Sequence, residues 1–294
     1  MYLVCLRMDL VMKNANWGCT VATLNIWNHT YHWEKRLPLI SQLLDVVDAD
    51  IIALQEVSEF NGINQADEIC KSLDKRYHGI FVPSQEYKSG WSGNAFLSRL
   101  PIIDAKSIKL SQDPQDPDDG FSRNIMGIRV NLNQNQESIS VFNTHLSLSK
   151  NARKRTIIEV LTFIKNFSGG NMSLLMGDFN CSPGEESINF ITNNDDKQFQ
   201  DIWATSHRSN NEDVTWPTDV KLVHRAWEER HNTPIPWPII PARMDFIFVS
   251  SGKGLDFQIT RCDKMVIEAS DTFSSDHFAV IGSFMIRKTE TYAI

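Results

Sequence analysis

No apolar run in this 294-residue chain approaches the roughly 18 residues that a membrane-spanning helix needs, so no transmembrane segment is expected. The first twelve residues are fairly apolar, but Arg7 and Asp9 interrupt them and make a poor secretory signal. A cytoplasmic or nuclear location is therefore expected over a secreted one. Cysteine is sparse. Cys5, Cys19, Cys70, Cys181 and Cys262 are odd in number and far apart, with no CxxC pair and no histidine-rich cluster. Neither a disulfide scaffold nor a zinc site is indicated, and free buried thiols are the expectation. Positive charge is not in excess either. The net charge of −7 argues against broad adhesion to nucleic acid or anionic lipid, although a local basic groove remains compatible with it. There is no internal repeat and no low-complexity linker.

What the chain has is an ordinary globular composition, 41% hydrophobic and 22% charged, and a series of apolar strands. Residues 21–27 read as a strand. Residues 34–47 follow with Leu37, Ile40, Leu43, Leu44 and Val47 at helical spacing, and residues 51–56 read as a buried strand ending in Glu56. This is a β–α–β unit. Residues 94–98, 125–130 and 138–145 are further strands, and the acidic stretch 113–120 is a solvated loop. Residues 153–167 form a helix with a stripe of Ile157, Leu161 and Ile164. Ser182-Pro-Gly-Glu185 has capping-box spacing with proline at the first helical position, which predicts a helix start there. Residues 244–250 and 278–285 are late strands.

The chemistry-bearing residues stand at strand ends. Asp178 and Asn180 follow an apolar strand two residues apart, and a period of two places them on one side. Gly177 removes bulk where the chain leaves the sheet. Carboxylate and amide oxygens suit a hard divalent cation such as Mg²⁺. Asn25, Glu56, His145, Asp245 and the pair Asp276-His277 end other strands or precede them. Singly, each has a plainer reading: Asn25 as a turn cap, Glu56 as a surface acid, His145 as a core histidine, Asp245 as a partner of Arg243. Together they are a constellation.

On the segments TLNIW (23–27), ALQEV (53–57), SGNAFLSRLPI (92–102), FNTHLS (142–147), MGDFNCSP (176–183), ARMDFIFV (242–249) and SSDHFAV (274–280), the chain resembles the endonuclease/exonuclease/phosphatase, or DNase I-like, superfamily. The resemblance implies an α/β fold, a four-layer α/β sandwich of two packed mixed β-sheets flanked by helices. It implies one domain over residues 1–294 with its core at about 20–286. It implies Mg²⁺, with Mn²⁺ as a substitute, held by Glu56, with Asn25 close by and Asp276 joining from the other side. Asp178 would orient or deprotonate the attacking water, and Asn180 would hold the water or a phosphate oxygen. His277 would contact the scissile phosphate, with Asp245 fixing its tautomer, and His145 would bind a phosphate oxygen or assist the leaving group.

The chemistry asks for these groups independently of the family. A phosphodiester is anionic and repels a nucleophile, so charge must be neutralised, water aligned and the leaving oxygen stabilised. The expected activity is metal-dependent hydrolysis of a phosphoric ester, leaning to a lipid or small-molecule phosphodiester. The alternative is a nuclease or a tyrosyl-DNA type phosphodiesterase, and a weaker one is a non-catalytic module of the same fold. A monomer is expected. Arg123 reaches a phosphate or pairs with the acidic loop. Lys150, Arg153, Lys154 and Arg155 give local positive charge or a solvated helix face. Residues 207–242 hold five of the eleven prolines and three of the eight tryptophans. They read as a substrate-selecting wall, with Trp216 or Trp237 toward the cleft and Trp227 in the core.

Overall fold

Long β-branched and aromatic runs dominate the chain, and they assemble into two sheets. The computed structural model describes residues 16–74, 76–133, 137–193, 198–206 and 213–289. Cys5 and residues 207–212 lie outside the described residues, and the other four cysteines are free and buried. The strands are β1 (Asn16–Asn25), β2 (Ile51–Phe60), β3 (Ile63–Asn64), β4 (His78–Tyr87), β5 (Gly90–Ser98), β6 (Ile102–Lys109), β7 (Asn124–Asn131), β8 (Ser138–His145), β9 (Ser173–Asp178), β10 (Gln200–Asp201), β11 (Asp245–Ser250), β12 (Leu255–Met265), β13 (Glu268–Ala269), β14 (Thr272–Phe273) and β15 (Ala279–Lys288). The helices are α1 (Trp33–Val47), α2 (Gln65–Ser72), α3 (Lys150–Ser168), α4 (Glu186–Thr192), α5 (Ile202–Ser206) and α6 (Val220–His231).

One sheet runs β12-β15-β1-β2-β5-β4 with β3 on β2, and the other runs β10-β11-β9-β8-β7-β6. Each contains a single parallel pair, β1 with β2 and β8 with β9, and a helix, α1 or α3, makes each crossover. Period-two alternation then sorts the side chains into layers. Val21, Ile51 and Ala53 meet Val141, Leu174 and Ile247 between the sheets. Ile52 and Leu54 face Ile40, Leu43 and Leu44 of α1, while Phe142, Leu175 and Phe246 face Ile157, Val160 and Ile164 of α3. This is the expected four-layer α/β sandwich.

Two buried amides tie the sheets together close to their functional edge. Gln55 donates to Thr23 Oγ1 (3.0 Å) and to Asn143 Oδ1 (2.7 Å). Asn143 donates to the carbonyls of Leu54 and Ala95, both at 2.9 Å. Such polar contacts in an apolar layer fix the register of one sheet on the other, although Gln55 Oε1 itself has no partner.

The structure adds strands that periodicity does not announce. β4 carries Pro83 at a register break and is mostly half-exposed, β6 is an exposed edge, and β12 is broken between Ile259 and Arg261. α4 begins at Glu186 and not at Ser182. Gly184 sits at φ +87° and cannot continue a helix, so residues 182–184 form a turn and Glu185 accepts from Ser182 N at 3.2 Å. The 207–242 segment contains α6 and is not one long loop.

Candidate active site

Three neighbouring strands of the second sheet end in register. His145 on β8 stands opposite Asp178 on β9, and Asp178 stands opposite Asp245 on β11. Gly177 makes this row possible. Its φ is +144°, and a Cβ there would lie 1.9 Å from the Thr144 carbonyl oxygen. Asp178 and Asn180 do converge, but not by strand alternation. β9 ends at Asp178, and Asn180 turns back at φ +50°, its backbone N–H donating to Asp178 Oδ1 at 2.9 Å.

His277 crosses from the other sheet to complete the row. Its Nδ1 lies 2.9 Å from Asp245 Oδ2 and its Nε2 lies 3.8 Å from Asp178 Oδ2. Asp245 can only accept, so Nδ1 carries the hydrogen and Nε2 faces the cavity. Burial alone would discharge the ring, but Asp245, Asp276 and Asp178 outweigh it and raise its pKa to about 10. His277 is therefore a cation at neutral pH. Asp178 is also raised: burial first, then Asp245, lift it above its ordinary value against the pull of His277. A buried carboxylate of raised basicity is suited to taking a proton from water. Arg243, the alternative partner for Asp245, pairs instead with Asp201 at 2.7 Å.

His145 differs from His277. Burial, Arg123 and His277 hold it well below the usual histidine range, so it is neutral. Arg123 Nη1 lies 2.8 Å from Nδ1 and Asn180 Nδ2 lies 2.9 Å from Nε2. A neutral imidazole accepts at one nitrogen alone, so only one of these donations holds at a time. The other N–H is available to an incoming anion. Arg123 stands over Phe121 and does not join the acidic loop, whose Asp119 is taken by Arg155 at 2.7 Å.

The first sheet supplies the facing acids. β2 breaks register between Leu54 and Val57, and Glu56 at φ +56° leaves the ladder there. Asn25 Nδ2 donates to Glu56 Oε1 at 3.2 Å and to Asp178 Oδ2 at 3.0 Å, while its Oδ1 accepts from Trp27 N at 2.9 Å. Asn28, which has no strand-end signature, donates to Glu56 Oε2 at 2.8 Å. Asp276 accepts from Trp216 Nε1 at 3.0 Å, and burial and Glu56 raise its pKa to about 6 against the opposing pull of His277. Among the described residues neither Glu56 nor Asp276 forms an ion pair with lysine or arginine. Two nearby carboxylates that repel one another and have only uncharged amide, hydroxyl or indole partners fit a hard divalent cation. Asp178, Asp245 and His277 also form a tight acid–imidazole cluster, with ligand atoms within 4.8 Å of one another. There, however, the ring is itself the cation.

One buried side chain holds this edge in place. Arg36 of α1 is fully buried and donates to the carbonyls of Ile26, Trp27, Asn28, Thr30, Tyr31 and Ser274. It fixes a loop in which Trp27, Asn28, Tyr31 and His32 all have positive φ. The signal was in the sequence: Arg36, Ile40, Leu43 and Val47 share one helical stripe, with a charge on the apolar face.

Most of the site's polar side chains line a cavity of about 460 Å³, with Asn25, Arg36 and Asp245 behind them. Glu56, His145, Asp178, Asn180, Asp276 and His277 form its polar side, and Trp216 and Trp237 both line it. Trp216 is brought there by its segment. Thr215 Oγ1 accepts from Met244 N and Asp245 N, and Thr218 N donates to the Asp276 carbonyl. Trp227 is not a core residue. It is half-buried and lines the cavity, because α6 buries Leu222 and Ala226 on its inner face. The basic run on α3 is largely consumed. Arg153 is buried and binds Glu185 and two carbonyls, Lys154 pairs with Glu186, and Arg155 with Asp119.

Residues 22–277 match the endonuclease/exonuclease/phosphatase family, and the chain belongs to it, a family of phosphoester hydrolases. Protein L388 of Acanthamoeba polyphaga mimivirus is 25% identical over 186 residues, 54% of this chain and 66% of its own. The matches thus span just under two thirds of the length of the curated relatives. Among solved structures, the mannosyl-6-phosphatase Bt3783 of Bacteroides thetaiotaomicron is similar at 22% identity and TM-score 0.66, over 90% of this chain and 99% of that one. D. rerio TDP2 complexed with single-strand DNA product is similar at 17% identity and TM-score 0.67, over 91% and 98%. These structural likenesses concern the fold.

Proposed function

We propose that the protein is a Mg²⁺-dependent phosphoric-ester hydrolase that cleaves a phosphodiester by in-line attack of water. Its substrate is a lipid or small molecule, with Mn²⁺ able to replace Mg²⁺. The observation that carries this reading is the convergence of strand ends from both sheets. His145, Asp178 and Asp245 stand in one row, His277 completes it, and Glu56 and Asp276 face it.

Glu56 and Asp276 would hold the cation, with Asn25 beside them. The ion would neutralise phosphate charge and stabilise the leaving oxygen. Asp178, with its raised basicity, orients a water and takes its proton at Oδ2. The His277 cation places its Nε2–H on a non-bridging oxygen, and Asp245 keeps it charged and in that tautomer. Arg123 keeps N–H groups beyond the one it turns to His145, its Nε having no partner, and these meet a second oxygen, with Asn180 beside them. His145 sits between the two donors. Trp216 fixes Asp276 through its indole N–H. The consumed basic run on α3 and the net charge of −7 disfavour a polyanionic substrate.

A substrate panel tests this: bis-p-nitrophenyl phosphate, plasmid DNA, single-stranded oligonucleotides, 5′-phosphotyrosyl DNA and sphingomyelin, each in Mg²⁺ and in EDTA. The expected result is hydrolysis of the generic diester in Mg²⁺, lost in EDTA and lost in a folded Glu56→Gln variant. Full turnover in that variant sinks the metal assignment. Faster cleavage of nucleic acid than of any small or lipid ester overturns the substrate class.

A further inference from the structure

The cavity has two chemically distinct sides. Besides the polar side chains, α6 and the stretch 232–240 contribute Trp227, Ile235, Trp237 and Ile239 to the lining of the cavity. Trp227 and Trp237 meet edge to face, with centroids 4.9 Å apart, and the His231 ring covers one face of Trp227 at 3.8 Å. Three prolines, Pro234, Pro236 and Pro238, alternate with these residues and restrict the backbone. Arg230 is the cation lining this side.

The apolar surface does not stop at the cavity. Trp237 is 54% exposed, Leu148 59% and Phe121 47%, and all three line it, while Ile240, next to Ile239, is 70% exposed. Large apolar side chains gathered at the mouth of a polar site mark a binding surface more often than chance.

We infer that this wall, Trp227, Ile235, Trp237 and Ile239 with the lip of Leu148, Phe121 and Ile240, binds the hydrocarbon part of an amphiphilic phosphoester whose phosphate sits at His277. The inference rests on the phosphoester reading above and names its substrate class. A flat ring is the competing occupant, since indoles stack on bases. The wall argues against it in two ways. Past Thr233 the segment's one side-chain donor is the Trp237 indole N–H and it has no side-chain acceptor, so the polar edges of a base would lose most of their hydrogen bonds on entry. One face of Trp227 is already covered, and Trp237 stands across it and not parallel to it. A methylene chain has no edges to satisfy and gains from every apolar contact. On the wall itself Arg230 is the one cation that lines the cavity, too little positive charge for a polyanionic chain.

The test uses n-alkyl phosphocholines from hexyl to dodecyl as probes, below their micelle-forming concentrations, in EDTA so that binding is read without turnover. Calorimetry and indole fluorescence give Kd. The expected result is a Kd that falls about two- to fourfold per methylene. The Trp237→Ala/Ile239→Ser double variant should narrow the hexyl-to-dodecyl ratio at least tenfold. Ile158→Ser, which removes an exposed apolar residue from α3, should leave that ratio as in the wild type. Kd values independent of chain length overturn the inference. So does an unchanged ratio in the wall variant, or adenosine 5′-monophosphate binding more tightly than the dodecyl probe. Hydrolysis of bis-p-nitrophenyl phosphate in Mg²⁺ is measured in parallel. If it is absent while the chain-length dependence holds, the hydrolase reading fails and the hydrocarbon subsite stands.

Discussion

At the scale of single residues, the site rests on two histidines driven to opposite charge states by their neighbours. His277 gains Asp245, Asp276 and Asp178 and is held protonated to about pH 10, whereas His145 gains Arg123 and is held neutral. The sign matters for the pH profile. A group with a raised pKa delivers its protonated form at all lower pH values and loses it as pH rises through the shifted value. The limb belonging to His277 should therefore fall only at strongly alkaline pH in the wild type. Asp245→Asn removes a charge and leaves the hydrogen-bonding outline. It should lower kcat by about 10² or more, and the alkaline limb should move toward neutrality. A pH–rate series on a generic diester reads both effects, and an unchanged limb would separate Asp245 from His277. Asp178 was legible as a candidate from sequence. Its raised basicity was not, because it arises from burial and from Asp245, which lies 67 positions away in the chain.

At the scale of elements, several functional residues depend on a local break in regular structure. Glu56 uses a bulge in β2, Asn180 a left-handed turn, and Asn28 a loop held by a helix. That loop depends on Arg36. Arg36→Lys keeps the charge but presents three donors from one nitrogen where the native fork reaches six carbonyls. It should cost at least about 3 kcal/mol of stability, since buried carbonyls are left unpaired. It should also lower turnover, because Asn28 and Glu56 lose their support. Urea midpoints with kcat measured at low temperature, where the variant is folded, distinguish the two losses. A variant of native stability and native kcat would show the Arg36 contacts to be dispensable. Strands with clean alternation or long apolar runs, such as β2, β8 and β9, were readable. The half-exposed β4 and β6 were not, because neither side of them is uniformly apolar.

At the scale of the whole molecule, the two sheets present their functional edges to one cavity, and the net charge of −7 sets its surroundings. A small or amphiphilic substrate meets this protein through about one phosphate. Its kcat/KM should change no more than about threefold between 50 and 200 mM salt at fixed free Mg²⁺. A nucleic acid bound through several phosphates would lose orders of magnitude. A steep slope with plasmid or oligonucleotide substrates would favour the nuclease alternative.

The sequence by itself determined a series of strands and helices and the polar residues that end the strands, and its resemblance to the family implied the sandwich. Strand periodicity and the polar residues ending strands are local signals, carried by neighbours within a few positions of one another. Only the tertiary structure decided what those residues do to each other. It set the charge of His277, the neutrality of His145, the place of Asn28 and Arg36, and the side of the wall on which Trp227 falls. The physical reason is that burial and through-space charge sum over groups far apart in the chain. No window of sequence contains Asp178, Asp245 and His277 together, yet their ligand atoms lie within 4.8 Å.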